Sequence, residues 1–131
     1  MPSEPRHGFP ARHRLKKRAE FAGVYARGLR ISGRYFVLFM LEVDDDGGRF
    51  GVTASRRVGG AVLRARCRRR LRELYRLHRE SGGAGRYDIV ANARRGLPSA
   101  PWGELERDFL RCLDRRAGAD HEARGPRASR A

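Results

Sequence analysis

Between Arg64 and Arg79 the sequence places arginine at 64, 66, 68, 69, 70, 72, 76 and 79, and only Glu73 and Glu80 offset them nearby. Guanidinium groups suit one kind of chemistry, the bidentate binding of phosphate or carboxylate oxygens. At helical spacing Arg64, Arg68, Arg72 and Arg76 form an i,i+4 row with Arg79 beside it. Arg66 and Arg69 project from a third side, and Arg70 sits at the edge of the apolar face. Solvated helix faces ordinarily mix signs, because like charges four residues apart repel. This face repels itself, which points to a polyanionic partner. The formal net charge of +15 over 131 residues agrees. Nucleic acid ranks first as that partner, with an anionic membrane surface a distant second.

The elements that must hold these arginines follow from periodicity. Leu63, Cys67, Leu71, Leu74 and His78 form the inward stripe of a helix over 61–79, with Tyr75 at its flank. Gly59-Gly60 separates it from a strand over 49–58. There Phe50, Val52 and Ala54 face one way, and Gly51, Thr53 and Ser55 make the other face small and polar. With Arg56 and Arg57 beside it, that face can admit a backbone or a base.

Residues 34–43 alternate Tyr35, Val37, Phe39, Leu41 and Val43 against Phe36, Leu38 and Met40. Both faces are apolar, as in a central strand covered on both sides. The Asp44-Asp45-Asp46-Gly47-Gly48 run is turn chemistry, and it is expected to close a hairpin from this strand to the next. A solvated turn explains its three carboxylates better than a metal site. No spaced histidine joins them.

A first helix starts near Lys17. Phe21, Val24, Tyr25 and Gly28 line its inner side, Gly28 ends it, and no Ser, Thr, Asp or Asn caps its start. Tyr87 to Arg94 reads as a strand parallel to an earlier one, because a helix intervenes. The last helix carries Trp102, Leu105, Phe109, Cys112 and Leu113 inward and is expected to end at Gly118. The sequence therefore divides into one domain over 14–117 and disordered basic tails over 1–13 and 118–131.

No apolar run approaches the ~20 residues of a membrane-spanning helix. The opening MPSEPRHGFPARHRLKK has no apolar core of a secretory signal. Cys67 and Cys112 fall on inward faces, where two buried thiols are favoured over a disulfide, and the expected location is the cytoplasm. No nucleophile–base pair or carboxylate set for metal-assisted hydrolysis is visible, which points away from a protein that cuts a phosphodiester by itself.

Three stretches carry a resemblance: RLKKRAEF (14–21), RYFVLFML (34–41) and above all GVTASRRVGGAVLRARCRRRLREL (51–74). Over roughly 14–116 the chain resembles the protein subunit of bacterial ribonuclease P. The family signature reads approximately Ser-Lys-Lys-x-Gly-x-Ala-x-x-Arg-Asn-Arg-x-Lys-Arg. Here it stands as Ser55-Arg56-Arg57-Val58-Gly59-Gly60-Ala61-Val62-Leu63-Arg64-Ala65-Arg66-Cys67-Arg68-Arg69. Ala65 replaces the family's asparagine between two arginines, so that position's role does not carry over. Gly60 replaces another asparagine, and Arg70 is a candidate to compensate for Ala65.

The resemblance implies an α+β fold of order α-β-β-β-α-β-α. It has a mostly antiparallel four-stranded sheet and three helices in a ribosomal-protein-like two-layer sandwich, with a left-handed βαβ crossover. It also implies a function: the protein subunit of an RNA-based endoribonuclease that removes the 5′ leader of precursor tRNA. The partners are the catalytic RNA and precursor tRNA, with no membrane and no stable protein partner required. The RNA carries the chemistry with Mg²⁺, and no protein residue is catalytic or a metal ligand.

Arg64, Arg66, Arg68, Arg69 and Arg72 match positions that face the catalytic RNA, and Arg56 and Arg57 join them. Phe21, Tyr25 and Phe39, with Ser55, are assigned to a cleft for the leader, where aromatic faces stack bases without demanding a sequence. From periodicity alone the aromatics read as core. The alternative function is a structural RNA-binding protein of ribosomal type without a processing role.

Overall fold

A computed structural model describes residues 10–130, with side chains through 119. Helix α1 (Arg18–Arg27) is followed by strands β1 (Leu29–Ser32), β2 (Phe36–Glu42) and β3 (Phe50–Thr53), helix α2 (Ala61–His78), strand β4 (Tyr87–Ala93) and helix α3 (Trp102–Arg130). The order is the α-β-β-β-α-β-α expected, with three helices and four strands. β1 is the strand that periodicity did not locate, because four residues after Gly28 are too few to show a period.

The sheet runs β1-β2-β4-β3. β1 with β2 and β2 with β4 are antiparallel, and β3 with β4 is parallel. This corrects the hairpin expected at Asp44–Gly48: β2 and β3 are not neighbours, and β4 lies between them. The reason is burial. Tyr87, Ile89, Val90 and Ala91 are all buried, so β4 takes an inner position, as a strand with two apolar faces must. β3, with Gly51 and Thr53 on one side, goes to the edge. The return strand is also shorter than expected, ending at Thr53 rather than Val58. The N-terminal segment covers the edge of β3, where the Leu15 N–H donates to the Phe50 carbonyl at 3.0 Å.

One face of the sheet carries the main core. Phe36, Leu38 and Met40 of β2 pack there with Cys67, Leu71, Leu74 and Tyr75 of α2 and Leu105, Phe109, Cys112 and Leu113 of α3. Full burial of a leucine such as Leu71 or Leu74 contributes about 1.5–3 kcal/mol. Leu63 was expected in this stripe but is 41 % exposed. The first turn of α2, Ala61–Leu63, is exposed, and Tyr75, expected at the flank of the stripe, is fully buried. Both cysteines are buried free thiols. The other face holds a smaller cluster of Leu15, Val24 and Val90, against which Phe21, Phe39 and Leu41 pack. The two faces of β2 thus serve two cores, as its double alternation implies.

α1 starts without an N-cap side chain, yet it is capped from within. Glu20 Oε1 accepts the N–H groups of Lys16 and Lys17 at 2.8 and 3.0 Å. Gly28 ends α1 in extended backbone, φ −77°, rather than in a left-handed turn. α3 does not end at Gly118 but continues to Arg130. Gly118 has no positive φ, and a glycine in ordinary helical backbone costs only about 1 kcal/mol. The expected 118–131 tail is therefore helical through Arg130. Most of the expected 1–13 tail lies outside the described residues, while Ala11–His13 form a 3₁₀ turn. No helix of the described residues is long and apolar enough to cross a membrane.

Candidate nucleic-acid interface

The arginines of α2 and of the residues that flank it divide into two groups by what they touch. Several are engaged by the protein itself. Arg70 donates to the carbonyls of Leu97, Pro98 and Ala100 at 2.6–3.1 Å and lies over the Trp102 ring, 5.8 Å from its centroid. Arg66 Nε donates to the Pro98 carbonyl at 2.7 Å. Arg64 donates to the Gly59 carbonyl at 3.0 Å and braces the turn that precedes its own helix. Arg76 pairs with Glu73 at 2.6 Å. Arg79 donates to the Asp46 and Gly48 carbonyls, tying α2 to the β2–β3 loop.

The second group is open. The side chains of Arg56, Arg57, Arg68, Arg69 and Arg72 have no hydrogen bond or ion pair among the described residues. Arg72 is held below the ordinary arginine pKa, first by burial and then by the neighbouring charges of Arg14 and Arg68. Such like-charge crowding is relieved when an anion arrives. Arg56 and Arg57 are exposed just before α2, whose N-cap residue Gly60 provides no side-chain cap. The uncapped N–H groups and the helix dipole favour negative charge at the same end. Gly59 makes this turn possible. Its φ of +144° is left-handed, and a Cβ there would stand 2.5 Å from Leu63 Cδ1.

Arg70, the candidate to compensate for Ala65, is engaged within the protein. The Arg70 guanidinium is taken up by three carbonyls, so it anchors the Leu97–Ser99 turn to α2. Sequence could not separate it from its neighbours, because the acceptors come from residues 27 to 30 positions downstream.

A second surface lies on the opposite face of the sheet, beside α1. Arg49 fixes α1 there, with Nη1 2.8 Å from Glu20 Oε2 and Nη2 3.2 Å from Asp88 Oδ2 of β4. Glu20 is correspondingly acidic, its pKa lowered to about 2 by the Lys16 and Lys17 N–H groups first, with help from Arg49.

The Cζ–Cε2 edge of the Phe21 ring sits against β3 at Gly51. Tyr25 meets Phe39 edge to face with centroids 4.8 Å apart, and 37 % of Tyr25 is exposed. The three expected aromatics are thus gathered in one place, packed as core and open at Tyr25. Ser55 is not in line with them. β3 stops at Thr53, and Ser55 begins a turn in which its Oγ accepts the Arg57 N–H at 3.3 Å, so it sits on the rim. Two polar residues at the floor were not among the assigned site residues, Thr53 and Asn92, both bonded to the Tyr25 hydroxyl. The alternation of β4 (Asp88, Val90, Asn92) does not mark Asn92, whose partner Tyr25 lies 67 positions earlier in the chain.

The Ribonuclease P family matches residues 9–117 of this sequence. The chain belongs to the ribonuclease P protein family. Over 108 residues it is 39 % identical to the ribonuclease P protein component of Acidothermus cellulolyticus, an alignment covering 81 % of this chain and 89 % of that protein. It is 42 % identical to the one from Gluconacetobacter diazotrophicus over 107 residues, 81 % and 91 % of the two chains. The solved RNase P protein from Thermotoga maritima superposes with a TM-score of 0.67 at 28 % identity, covering 79 % of this chain and 97 % of that one. The Staphylococcus aureus RNase P protein gives the same score and identity over 78 % and 93 %. The family's basic signature, Ser55 to Arg69, occupies the turn before α2 and the first half of that helix.

Proposed function

We propose that the chain is the protein subunit of a ribonuclease P ribonucleoprotein in the cytoplasm. The open arginines at 56, 57, 68, 69 and 72, with Arg64 and the free end of Arg66, lie against the catalytic RNA. The cleft of Phe21, Tyr25 and Phe39, rimmed by Ser55, holds the single-stranded 5′ leader of precursor tRNA. The observation that carries this reading is the arrangement of α2, whose guanidinium groups without an internal partner all belong to the family's signature or follow it within one turn.

The protein's contribution is electrostatic and positional. Guanidinium groups fixed on a docked helix release counterions when they meet phosphates and screen two RNAs from each other. Aromatic rings in the cleft hold leader bases by stacking, which tolerates any sequence. Mg²⁺ is held by the RNA and supplies the chemistry of phosphodiester cleavage. The one carboxylate-rich turn, Asp44–Asp46, uses Asp45 Oδ1 to accept the Gly47 N–H at 2.9 Å, and no step is assigned to it.

Reconstitution with ribonuclease P RNA at low Mg²⁺ tests the proposal. Addition of the protein should stimulate cleavage of precursor tRNA at the mature 5′ end. No stimulation would overturn the reading and favour a structural RNA-binding role. Cleavage by the protein without RNA would overturn the assignment of the chemistry to the RNA.

A further inference from the structure

On the α1 face of the sheet, one register row crosses Ser32, Val37, Asn92 and Thr53. Tyr25 reaches over it from α1. Its hydroxyl donates to Asn92 Oδ1 at 2.8 Å and lies 3.3 Å from Thr53 Oγ1. A phenol has one proton, and the shorter contact takes it, so the Thr53 hydroxyl donates the second bond. Asn92 is thereby oriented with Oδ1 toward Tyr25 and Nδ2 away from it. Nδ2 has no hydrogen-bond partner among the described residues, and no buried side-chain polar atom among them lacks one. Nδ2 is therefore open to solvent, on the face of the sheet that carries Tyr25 and Phe39.

We infer that Asn92 Nδ2 donates a hydrogen bond to the 2′-hydroxyl of a leader nucleotide, so that this cleft recognises RNA as RNA. The inference rests on the reading of the cleft as the leader site. Three chemical classes of acceptor are available on a single strand. A phosphate calls for a cation; the one that reaches this row, Arg30, stands at the β1 end with Nη1 2.9 Å from Ser32 Oγ, while the groups bonded to one another at the β4–β3 end, Asn92, Thr53 and Tyr25, are neutral. A base edge would impose a sequence, whereas the adjoining aromatic surfaces stack any base. The 2′-hydroxyl is present on every ribonucleotide and accepts a hydrogen bond, and it distinguishes RNA from DNA. A donor of fixed orientation set among stacking rings suits that group.

A thermodynamic cycle on the reconstituted holoenzyme tests this. Affinity is measured for precursor tRNA with an all-ribose leader and for the same precursor with 2′-deoxy leader nucleotides, using wild type, Asn92→Ala and Asn92→Asp. Asn92→Asp keeps the acceptor for Tyr25 and removes both donors, so it tests the donor even if Asn92→Ala folds poorly. Wild type should favour the ribose leader by about fivefold, the size of one net hydrogen bond. Both variants should bind the two leaders alike. Equal discrimination in wild type and variants would overturn the role of Asn92. So would a wild type indifferent to the sugar, or a coupling that follows base identity instead. Leaderless tRNA separates the two readings. If wild type binds it as tightly as the precursor, the cleft assignment itself falls. If the leader adds affinity without sugar coupling to Asn92, only this inference falls.

Discussion

Phe21 occupies the space that a side chain on Gly51 would need: a Cβ at Gly51 would stand 2.5 Å from Phe21 Cζ and 2.6 Å from Cε2. The glycine on the edge strand and the aromatic on α1 are therefore one feature, the seat of the helix on the sheet. Gly51→Ala should push the ring outward and destabilise the fold by about 1–3 kcal/mol, as overpacking does. At roughly 4–8 °C per kcal/mol in a domain near this size, a thermal melt will resolve it. Gly118→Ala is the control. Nothing lies within 4 Å of a Cβ there, and a helical glycine replaced by alanine should gain up to about 1 kcal/mol.

Arg69 and Arg70 are adjacent in sequence and opposite in employment. Arg69→Ala should leave the melting temperature within error and lower the salt slope of catalytic-RNA binding by roughly 1 unit or less. Arg70→Leu removes the donors to three carbonyls and should cost about 1–3 kcal/mol of stability, with the salt slope nearly unchanged at temperatures where the variant is folded. Melts and salt titrations on both variants check the pair, and an exchange of the two phenotypes would refute it.

Glu20 gives an acid-side signature. Its folded pKa, about 2, lies below its ordinary value of 4.5. The unfolded chain therefore takes up the proton first as pH falls. The stabilisation is full above pH 4.5 and is lost as pH falls toward 2. The melting temperature of wild type should exceed that of Glu20→Gln at pH 6, and the gap should narrow steadily between pH 4.5 and pH 2.

The thiols should be silent in the native state. Burial raises the pKa of both, that of Cys112 to about 11, so little thiolate exists at pH 8 and little of it is accessible. Iodoacetamide followed by intact mass should show no adduct on the folded protein and two on the protein in guanidinium chloride.

The sequence alone determined the elements with a strong period: the arginine helix, expected over 61–79 and observed over Ala61–His78, the doubly apolar β2 and the inward stripe of α3. It also determined the family, because the signature from Ser55 to Arg69 is contiguous and local. What it could not determine depends on partners distant along the chain. The insertion of β4 between β2 and β3 is decided by which strand has two faces to bury, a comparison made only when all strands compete for the centre. Arg70 looks like an RNA ligand until Leu97, Pro98 and Ala100 bring their carbonyls up to it. Asn92 looks like an ordinary strand residue until Tyr25, 67 positions earlier, orients its amide. Charge and periodicity are properties of a stretch of chain and survive in the sequence. Which donor meets which acceptor is a property of the packed sheet, and only the tertiary structure decides it.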